Sequence, residues 1–334
     1  MDSLTQIVLG AACGEVVLGR RLGNKAQLLG AVAGTIPDLD VVSRFFTEGP
    51  IGPLVYHRAY SHSFLLLAFL AYALTWLSRK WSKAEISTGR WYIFWLSGLW
   101  THVLLDCCTT YGTRALLPFS DYQVAFNNIS VVDPLYTVPF LLVLGACLFF
   151  RRDRVIRRRL MWISIGISSA YMATTFVLKA VVHGKFEKAL AAQGITSYDM
   201  DSTPTIFNAI LWSGVARTDH AVYCAEYSFL RPELPVYWVE VPREREAASG
   251  FHSPDIEKVE WFADGTEMYR RRGDDSLFVY NGKFGRFNFE STNPDSCFWP
   301  ILFVRTPAGI EAREVQPDFN VEEAFGKLME RIGV

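Results

Sequence analysis

The sequence predicts an α-helical membrane bundle of about six helices, followed by a small β-rich domain outside the membrane. Half of the 334 residues are apolar, and the mean hydropathy lies slightly above zero. That value is high for a soluble protein and low for a pure membrane bundle. Long apolar runs occupy the first half, whereas the chain turns polar after Val182. We therefore expect a membrane domain over residues 1–185 and a β-rich extracytoplasmic domain over residues 186–334.

Four apolar runs predict transmembrane helices, because a helix needs about 20 residues to cross the hydrocarbon core of a bilayer. They lie between Arg58 and Arg79, between Arg90 and Asp106, between Asp133 and Arg151, and between Arg159 and Lys179.

The first forty residues predict two further helices, both short, in the segments TQIVLGAACGEVVLG and AQLLGAVAGTI. Each segment contains a GxxxG pattern, Gly10/Gly14 in the first and Gly30/Gly34 in the second. Small residues at that spacing allow two helices to pack closely in lipid. We expect a close-packed hairpin that either spans the membrane or re-enters it. The alternative is that glycine is simply common in such helices.

The distribution of basic residues predicts the orientation. Thirteen lie in the segments 20–25, 79–90 and 151–159, whereas the opposite segments 37–63 and 107–133 hold three. The positive-inside rule makes the first group cytoplasmic. We expect the chain to lie in the inner membrane of a bacterium. The run RRDRVIRRR is accordingly interpreted as a topology anchor, and no nucleic-acid partner is expected. The N-terminus lacks a basic region, so no cleavable signal peptide is expected either.

The polar half predicts short strands in AVYCAEYSFL, PVYWVEV, IEKVEWF and KFGRFNF, which are rich in aromatic and β-branched residues. VEEAFGKLMERI near the end predicts an amphipathic helix. Cys224 and Cys297 lie in this half, where a disulfide is one alternative and buried free thiols are the other.

Ionisable residues gather at predicted helix ends on one membrane face, where such residues are costly and usually functional. His102 and Asp106 are spaced i, i+4, so their side chains share one helix face. With His62 and Asp38 they form a candidate set of metal ligands. Imidazole with carboxylate suits Zn²⁺, and Mn²⁺ or Fe²⁺ less specifically.

Each of these residues also has a simpler explanation. Asp38, after Pro37, could end a helix and begin a turn. Asp106 could be neutralised by Arg58 or Arg114. Ser61 and Ser63 are expected to cap the following helix rather than to act as nucleophiles.

The motifs MDxLTQ, PDLD, HRxxSHS and HxxxD together resemble the YdjM-type family of membrane-bound metal-dependent hydrolases, over roughly residues 1–185. That family is thought to be distantly similar to zinc-dependent phospholipase C and P1-type nucleases. The resemblance implies a metal site at Asp38, His62, His102 and Asp106, with Asp40 and His57 as alternates. It also implies a second metal position near Asp2 and Gln6.

These observations favour a hydrolase that acts on a phosphoester in a lipid or another membrane-proximal molecule. Asp40 or His57 would serve as general base or would orient a ligand, and Arg58 would contact the phosphate. A salt bridge from Arg58 to Asp38 or Asp40 is the alternative role. The competing functions are a metal- or proton-handling protein, for which Glu15 is the main residue, and a non-catalytic metal-binding or regulatory membrane protein.

Overall fold

The computed structural model describes residues 1–47, 49–196, 198–288, 291–315 and 321–333. Among these residues the chain forms two compact units. The first contains residues 1–42, 56–176 and 206–208, and the second contains residues 43–55, 177–205 and 209–334. The long helix α7 (Val155–Ala192) begins in the first unit and ends in the second.

The first unit is helical. Its helices before α7 are α1 (Ser3–Leu22), α2 (Asn24–Thr35), α4 (Phe64–Trp81), α5 (Thr88–Cys107) and α6 (Pro134–Leu148), while α3 (Ile51–Tyr56) lies almost wholly in the second unit. Two 3₁₀ helices, Pro37–Phe45 and Tyr60–His62, flank α3 in sequence.

Helices α1 and α2 form the predicted close-packed hairpin. The turn is the single residue Gly23, whose φ of +61° suits glycine. A Cβ atom added at Gly10 would overlap the carbonyl oxygen of Gly30 and lie 2.8 Å from the Cα of Gly34. The GxxxG interpretation is therefore supported. Helix α1 has 20 residues, so the expectation of two short helices was wrong for the first.

The predicted six-helix membrane bundle is not confirmed. Among the described residues, α7 is long and apolar enough to cross a membrane. The segment Ile51–His62 with α4, bent by 59°, counts as a second span if the pair forms one. Helix α6 is apolar but has only 15 residues. Even so, large apolar side chains are exposed on α4, α6 and α7, as on a surface that faces lipid: Phe69, Tyr72, Trp76, Leu142, Trp162, Ile163 and Ile167.

The second unit confirms the β-rich prediction with two antiparallel four-stranded sheets, each in sequential strand order. The first sheet contains β1 (Asp199–Pro204), β2 (Leu211–Arg217), β3 (Ala221–Ser228) and β4 (Val239–Pro242). The second contains β5 (Glu267–Arg271), β6 (Ser276–Asn281), β7 (Ile301–Thr306) and β8 (Gly309–Glu314). Helix α8 (Pro254–Ala263) precedes the second sheet, and α9 (Val321–Ile332) is the predicted C-terminal helix.

Two predicted strands in this unit were wrong. IEKVEWF lies in α8, because Ser253 caps a helix there and Ile256, Val259 and Phe262 are buried at a helical spacing. The described part of KFGRFNF forms only an isolated bridge between Arg286 and Cys297, and its last residue lies outside the described residues. Cys224 and Cys297 are free thiols buried in one hydrophobic cluster.

Candidate metal centre

Four side chains from three segments converge in the first unit. Asp38 lies on the 3₁₀ helix that follows α2, His62 ends the short 3₁₀ helix before α4, and His102 and Asp106 lie on the last turns of α5. Pro37 begins the segment that carries Asp38, directly after α2 ends. The structure therefore brings together all four of the residues that the sequence predicts as ligands.

The ligand atoms of these side chains surround a common point. The Nε2 atoms of His62 and His102 are 3.2 Å apart. Asp38 Oδ1 lies 3.5 Å from the first and 3.3 Å from the second. Asp106 Oδ2 lies 3.2 Å and 3.5 Å from the same two atoms. A tetrahedral ion with bonds of about 2.0–2.1 Å requires ligand-to-ligand distances of about 3.3–3.4 Å, so the spacing matches.

Hydrogen bonds on the far side of each imidazole fix its tautomer. The Nδ1–H group of His102 donates to the carbonyl oxygen of Gly34 at 2.6 Å. His62 Nδ1 donates to Ser61 Oγ at 2.9 Å, and that hydroxyl donates to Asp40 Oδ2 at 2.6 Å. With the proton of the neutral ring on Nδ1, each Nε2 can bind a cation at the centre. Outer partners of this kind orient metal-binding histidines.

Asp40 organises the stretch His57–His62 from outside the four-residue group. Its Oδ1 accepts from His57 Nδ1 at 2.8 Å, and its Oδ2 accepts from the backbone N–H of Arg58 at 2.9 Å as well as from Ser61. Burial would raise the pKa of the Asp40 carboxyl, but hydrogen bonds from His57, His62 and Ser61 outweigh it and hold the pKa well below its usual range. Asp40 is therefore an ionised anchor.

Arg58 is held deep in the site. Its side chain is 5% exposed, its Nε lies 3.1 Å from Asp106 Oδ2, and its Nη1 donates to Thr109 Oγ1 at 2.9 Å. Its φ of +57° is unusual for a residue with a side chain and costs of the order of 1–3 kcal/mol. These contacts keep the guanidinium beside Asp106. The structure therefore agrees with the alternative in which Arg58 neutralises that aspartate. Its contact with a phosphate stays a prediction.

Asp2 and Gln6, the predicted second metal position, have separate roles. Asp2 caps α1 by accepting from the backbone N–H of Thr5 at 3.0 Å. Gln6 is buried, and its Nε2 donates to Asp106 Oδ1 at 2.9 Å. The Met1 amino group also lies on this oxygen, at 2.5 Å. Asp106 therefore binds Met1 and Gln6 through Oδ1 and faces the ligand centre through Oδ2.

Sequence reasoning missed three contributors to the site: the Gly34 carbonyl, the Met1 amine and the Ser61 hydroxyl. A backbone carbonyl cannot be recognised from the sequence, because every residue type has one. Ser61 could have been recognised, because it lies between the two histidines of HRAYSHSF, but the sequence analysis interpreted Ser61 as a helix cap. Only Ser63 has that role, accepting from the Leu66 N–H at 3.3 Å.

Comparison with known proteins agrees with the motifs. The family model described as YdjM inner membrane protein matches residues 1–182. The Bacillus subtilis (strain 168) protein YfhP, described as an uncharacterized protein, is 28% identical over 144 residues, which is 40% of this chain and 42% of YfhP. No solved structure matches, and the expected similarity to P1-type nucleases is not shown. The family match covers more than half of the chain, which therefore belongs to the YdjM family of inner membrane proteins.

Proposed function

We propose that this protein is a membrane-bound, metal-dependent hydrolase whose divalent cation is held by Asp38, His62, His102 and Asp106. Zn²⁺ is the favoured ion, with Mn²⁺ and Fe²⁺ next, because the donors are two imidazoles and two carboxylates. The observation that carries the proposal is that the Nε2 atoms of His62 and His102 face each other across 3.2 Å. Two lone pairs at that distance repel each other unless a cation or a proton lies between them.

An unsatisfied oxygen supports the same conclusion. Asp106 Oδ2 is fully buried and has no hydrogen-bond partner among the described residues, although Arg58 Nε lies 3.1 Å and His62 Nε2 lies 3.2 Å from it. Buried polar atoms are normally satisfied, and an exception calls for an explanation such as an ion. A cation at the centre would satisfy this oxygen together with both imidazoles.

We propose a phosphoester in a lipid or another membrane-proximal molecule as the substrate. A divalent cation supplies Lewis acidity, which lowers the pKa of a water molecule and polarises a phosphoryl oxygen. His57 is held by Asp40 through Nδ1, so its Nε2 would accept the proton of the attacking water. Arg58 would hold Asp106 in place and add positive charge for the phosphate. The family membership and the exposed apolar helices support a substrate at the membrane.

The second candidate function is a non-catalytic metal-binding or regulatory membrane protein. One observation favours it: four protein ligands at tetrahedral spacing complete the coordination of Zn²⁺, which is typical of structural sites. Catalytic zinc sites usually have three protein ligands and an open position. Asp38, at 18% exposure, is the ligand nearest solvent and the one that would have to yield that position.

The test is metal analysis of the detergent-purified protein beside a panel of phosphomonoesters, phosphodiesters and phospholipids. The hydrolase proposal predicts bound metal and turnover that His102→Ala abolishes and His252→Ala, an exposed histidine in the second unit, leaves intact. Stoichiometric metal without turnover of any substrate would favour the second candidate. Full turnover without metal in the His102→Ala protein would overturn the site.

We also propose that the site faces the extracytoplasmic side, from the basic residues in the predicted cytoplasmic segments. A cysteine placed at Arg154 should react with an impermeant thiol reagent only after the membrane is permeabilised. Labelling in intact cells would reverse the orientation.

A further inference from the structure

A second group of candidate ligands adjoins the first and shares one residue with it. Asp38, Asp40 and His57 each offer a ligand atom, and these atoms lie within 4.8 Å of one another. Asp38 is also one of the four residues of the centre described above. The two groups therefore meet at one carboxylate, which has two oxygens to offer.

The two groups differ in depth. The side chains of His62, His102 and Asp106 are at most 1% exposed, whereas those of Asp40 and His57 are 9% and 25% exposed. Asp38, at 18%, lies between the inner and the outer set. A molecule that arrives from solvent would meet the outer group first.

The two oxygens of Asp40 have different surroundings. Its Oδ2 is fixed by the Arg58 N–H and the Ser61 hydroxyl. Its Oδ1 contacts His57 Nδ1 alone among the described hydrogen bonds, at 2.8 Å. This distance is a hydrogen bond when the imidazole carries a proton, and it is also close to the ligand spacing around a six-coordinate ion. Carboxylates that bind metals are themselves held by outer hydrogen bonds in this way.

We propose that Asp38, Asp40 and His57 bind a second divalent cation, that Asp38 bridges the two ions, and that the outer ion is the one that meets substrate. This inference rests on the proposed inner metal centre. The inner ion has four protein ligands and a complete tetrahedral shell, whereas the outer ion has three and keeps positions open. Open positions are what a catalytic metal requires.

The chemistry of the outer group suggests its ion and its ligand. Two carboxylates and one imidazole with open positions suit Mn²⁺ better than the inner, more enclosed set does. Two dications with Arg58 outweigh the three carboxylates, so the occupied site carries a net positive charge. A phosphate group that spans the two ions fits that charge, as in two-metal phosphatases.

The competing arrangement is the one proposed above for a single ion, in which His57, held by Asp40, accepts the proton of the attacking water. With a second ion bound, His57 would be a ligand instead. The two arrangements differ in the number of metal equivalents and in whether the ions sense each other. Both can be measured without any substrate.

The experiment is titration of the metal-stripped, detergent-purified protein with Mn²⁺, followed by metal counting and electron paramagnetic resonance. We expect two equivalents and a spectrum of two exchange-coupled ions for the natural protein. His57→Ala and Asp40→Asn should each retain one equivalent with the spectrum of an isolated ion. His252→Ala should match the natural protein.

Each outcome decides between the proposals. One equivalent in the natural protein, lost in His102→Ala, would overturn the second ion and leave the inner centre intact. Two equivalents that persist in His57→Ala would overturn the assignment of the outer ligands. No bound ion in the natural protein would overturn both proposals. Because the number of equivalents in the natural protein alone decides whether a second ion binds, misfolding of a variant would not leave the question open.

Discussion

Two buried clusters in the helical unit both contain carboxylates, and they differ in whether each polar atom has a hydrogen-bond partner. In one, Arg157 Nε donates to Glu15 Oε1 at 2.7 Å and Nη2 donates to Oε2 at 2.5 Å. Gln27 Nε2 adds a third bond to the carboxylate at 3.0 Å. The remaining Arg157 nitrogen, Nη1, donates to Asn24 Oδ1 at 2.8 Å and to the carbonyl of Phe150 at 2.9 Å. Opposite charges meet, and each charged atom has a partner.

The other cluster is the candidate metal centre. It places two imidazole Nε2 atoms and two carboxylates around one point, and Asp106 Oδ2 is without a hydrogen-bond partner among the described residues. The comparison teaches that a buried charged cluster whose polar atoms all have partners is a structural connection, whereas one that gathers ligand atoms and leaves a carboxylate oxygen without a hydrogen bond is a candidate binding site.

The first cluster also revises two interpretations of the sequence. Arg157, counted among the cytoplasmic topology anchors, is 2% exposed and bound to Glu15. Glu15, the main residue of the proton-handling hypothesis, is bound in the same ion pair. Among the described residues, this pair ties α1 to α7, and we interpret it as a connection that holds the helices together.

The largest expected effect is on metal binding. His102→Ala and Asp106→Ala should each weaken metal affinity by more than about 100-fold, beyond the 10–100-fold typical of outer residues. The double variant should be hardly worse than either single one, because ligands of one ion act as a unit. Competition with a chromogenic chelator measures this. Additive losses would show that the two residues do not share an ion.

Breaking the other cluster should affect stability and spare the metal. Glu15→Ala leaves Arg157 buried without its carboxylate and should lower the free energy of unfolding by about 3–5 kcal/mol. Glu15→Gln with Arg157→Met should cost less, since no unpaired charge remains. Thermal unfolding in detergent, with metal counted on the folded fraction, separates the effects. Loss of metal at unchanged stability would contradict the distinction between the clusters.

A substitution at the contact between α1 and α2 should weaken both clusters together. These helices supply Gln6 and the Gly34 carbonyl to the candidate metal centre, and Glu15 and Gln27 to the Arg157 cluster. Gly10→Ala forces a Cβ against the Gly30 carbonyl and should cost about 1–3 kcal/mol. Metal affinity should fall in parallel.

The matched control is Gly145→Ala on α6, where an added Cβ meets nothing within 4 Å. It should leave the metal affinity unchanged and raise the unfolding temperature slightly, because alanine favours a helix over glycine. Equal effects of the two substitutions would mean that the hairpin contact does not support either cluster.

The smallest effect concerns Ser61, which orients His62 from outside the ligand set. Ser61→Ala should weaken metal affinity by about 10-fold, the lower end for outer residues. Ser63→Ala is the neighbouring control: it removes a helix cap, so it should cost about 1 kcal/mol of stability without a change in affinity of the folded protein. Isothermal titration with Zn²⁺ distinguishes them. Equal affinity losses would show that Ser61 has no special relation to the metal.

The sequence by itself determined the parts of the protein that local pattern encodes. Because His102 and Asp106 are spaced i, i+4, both lie on one face of α5. The motifs identified the family and indicated Asp38 and His62 as the other two candidate ligands. The GxxxG pairs predicted the α1–α2 hairpin, and aromatic and β-branched composition predicted the sheets. The strand prediction for IEKVEWF was wrong, because its aromatic and β-branched composition is typical of a strand while its buried residues follow the i, i+3 spacing of a helix.

Only the tertiary structure decided which atoms meet. Local periodicity specifies which face of an element is polar, but it carries no information on which distant group will lie opposite that face. Glu15 meets Arg157 and Ser61 joins His62 to Asp40 because of how the helices pack. The Gly34 carbonyl reaches His102 for the same reason, and a backbone oxygen is common to every residue type. Long-range partners depend on packing geometry, and geometry is a property of the folded chain rather than of any segment.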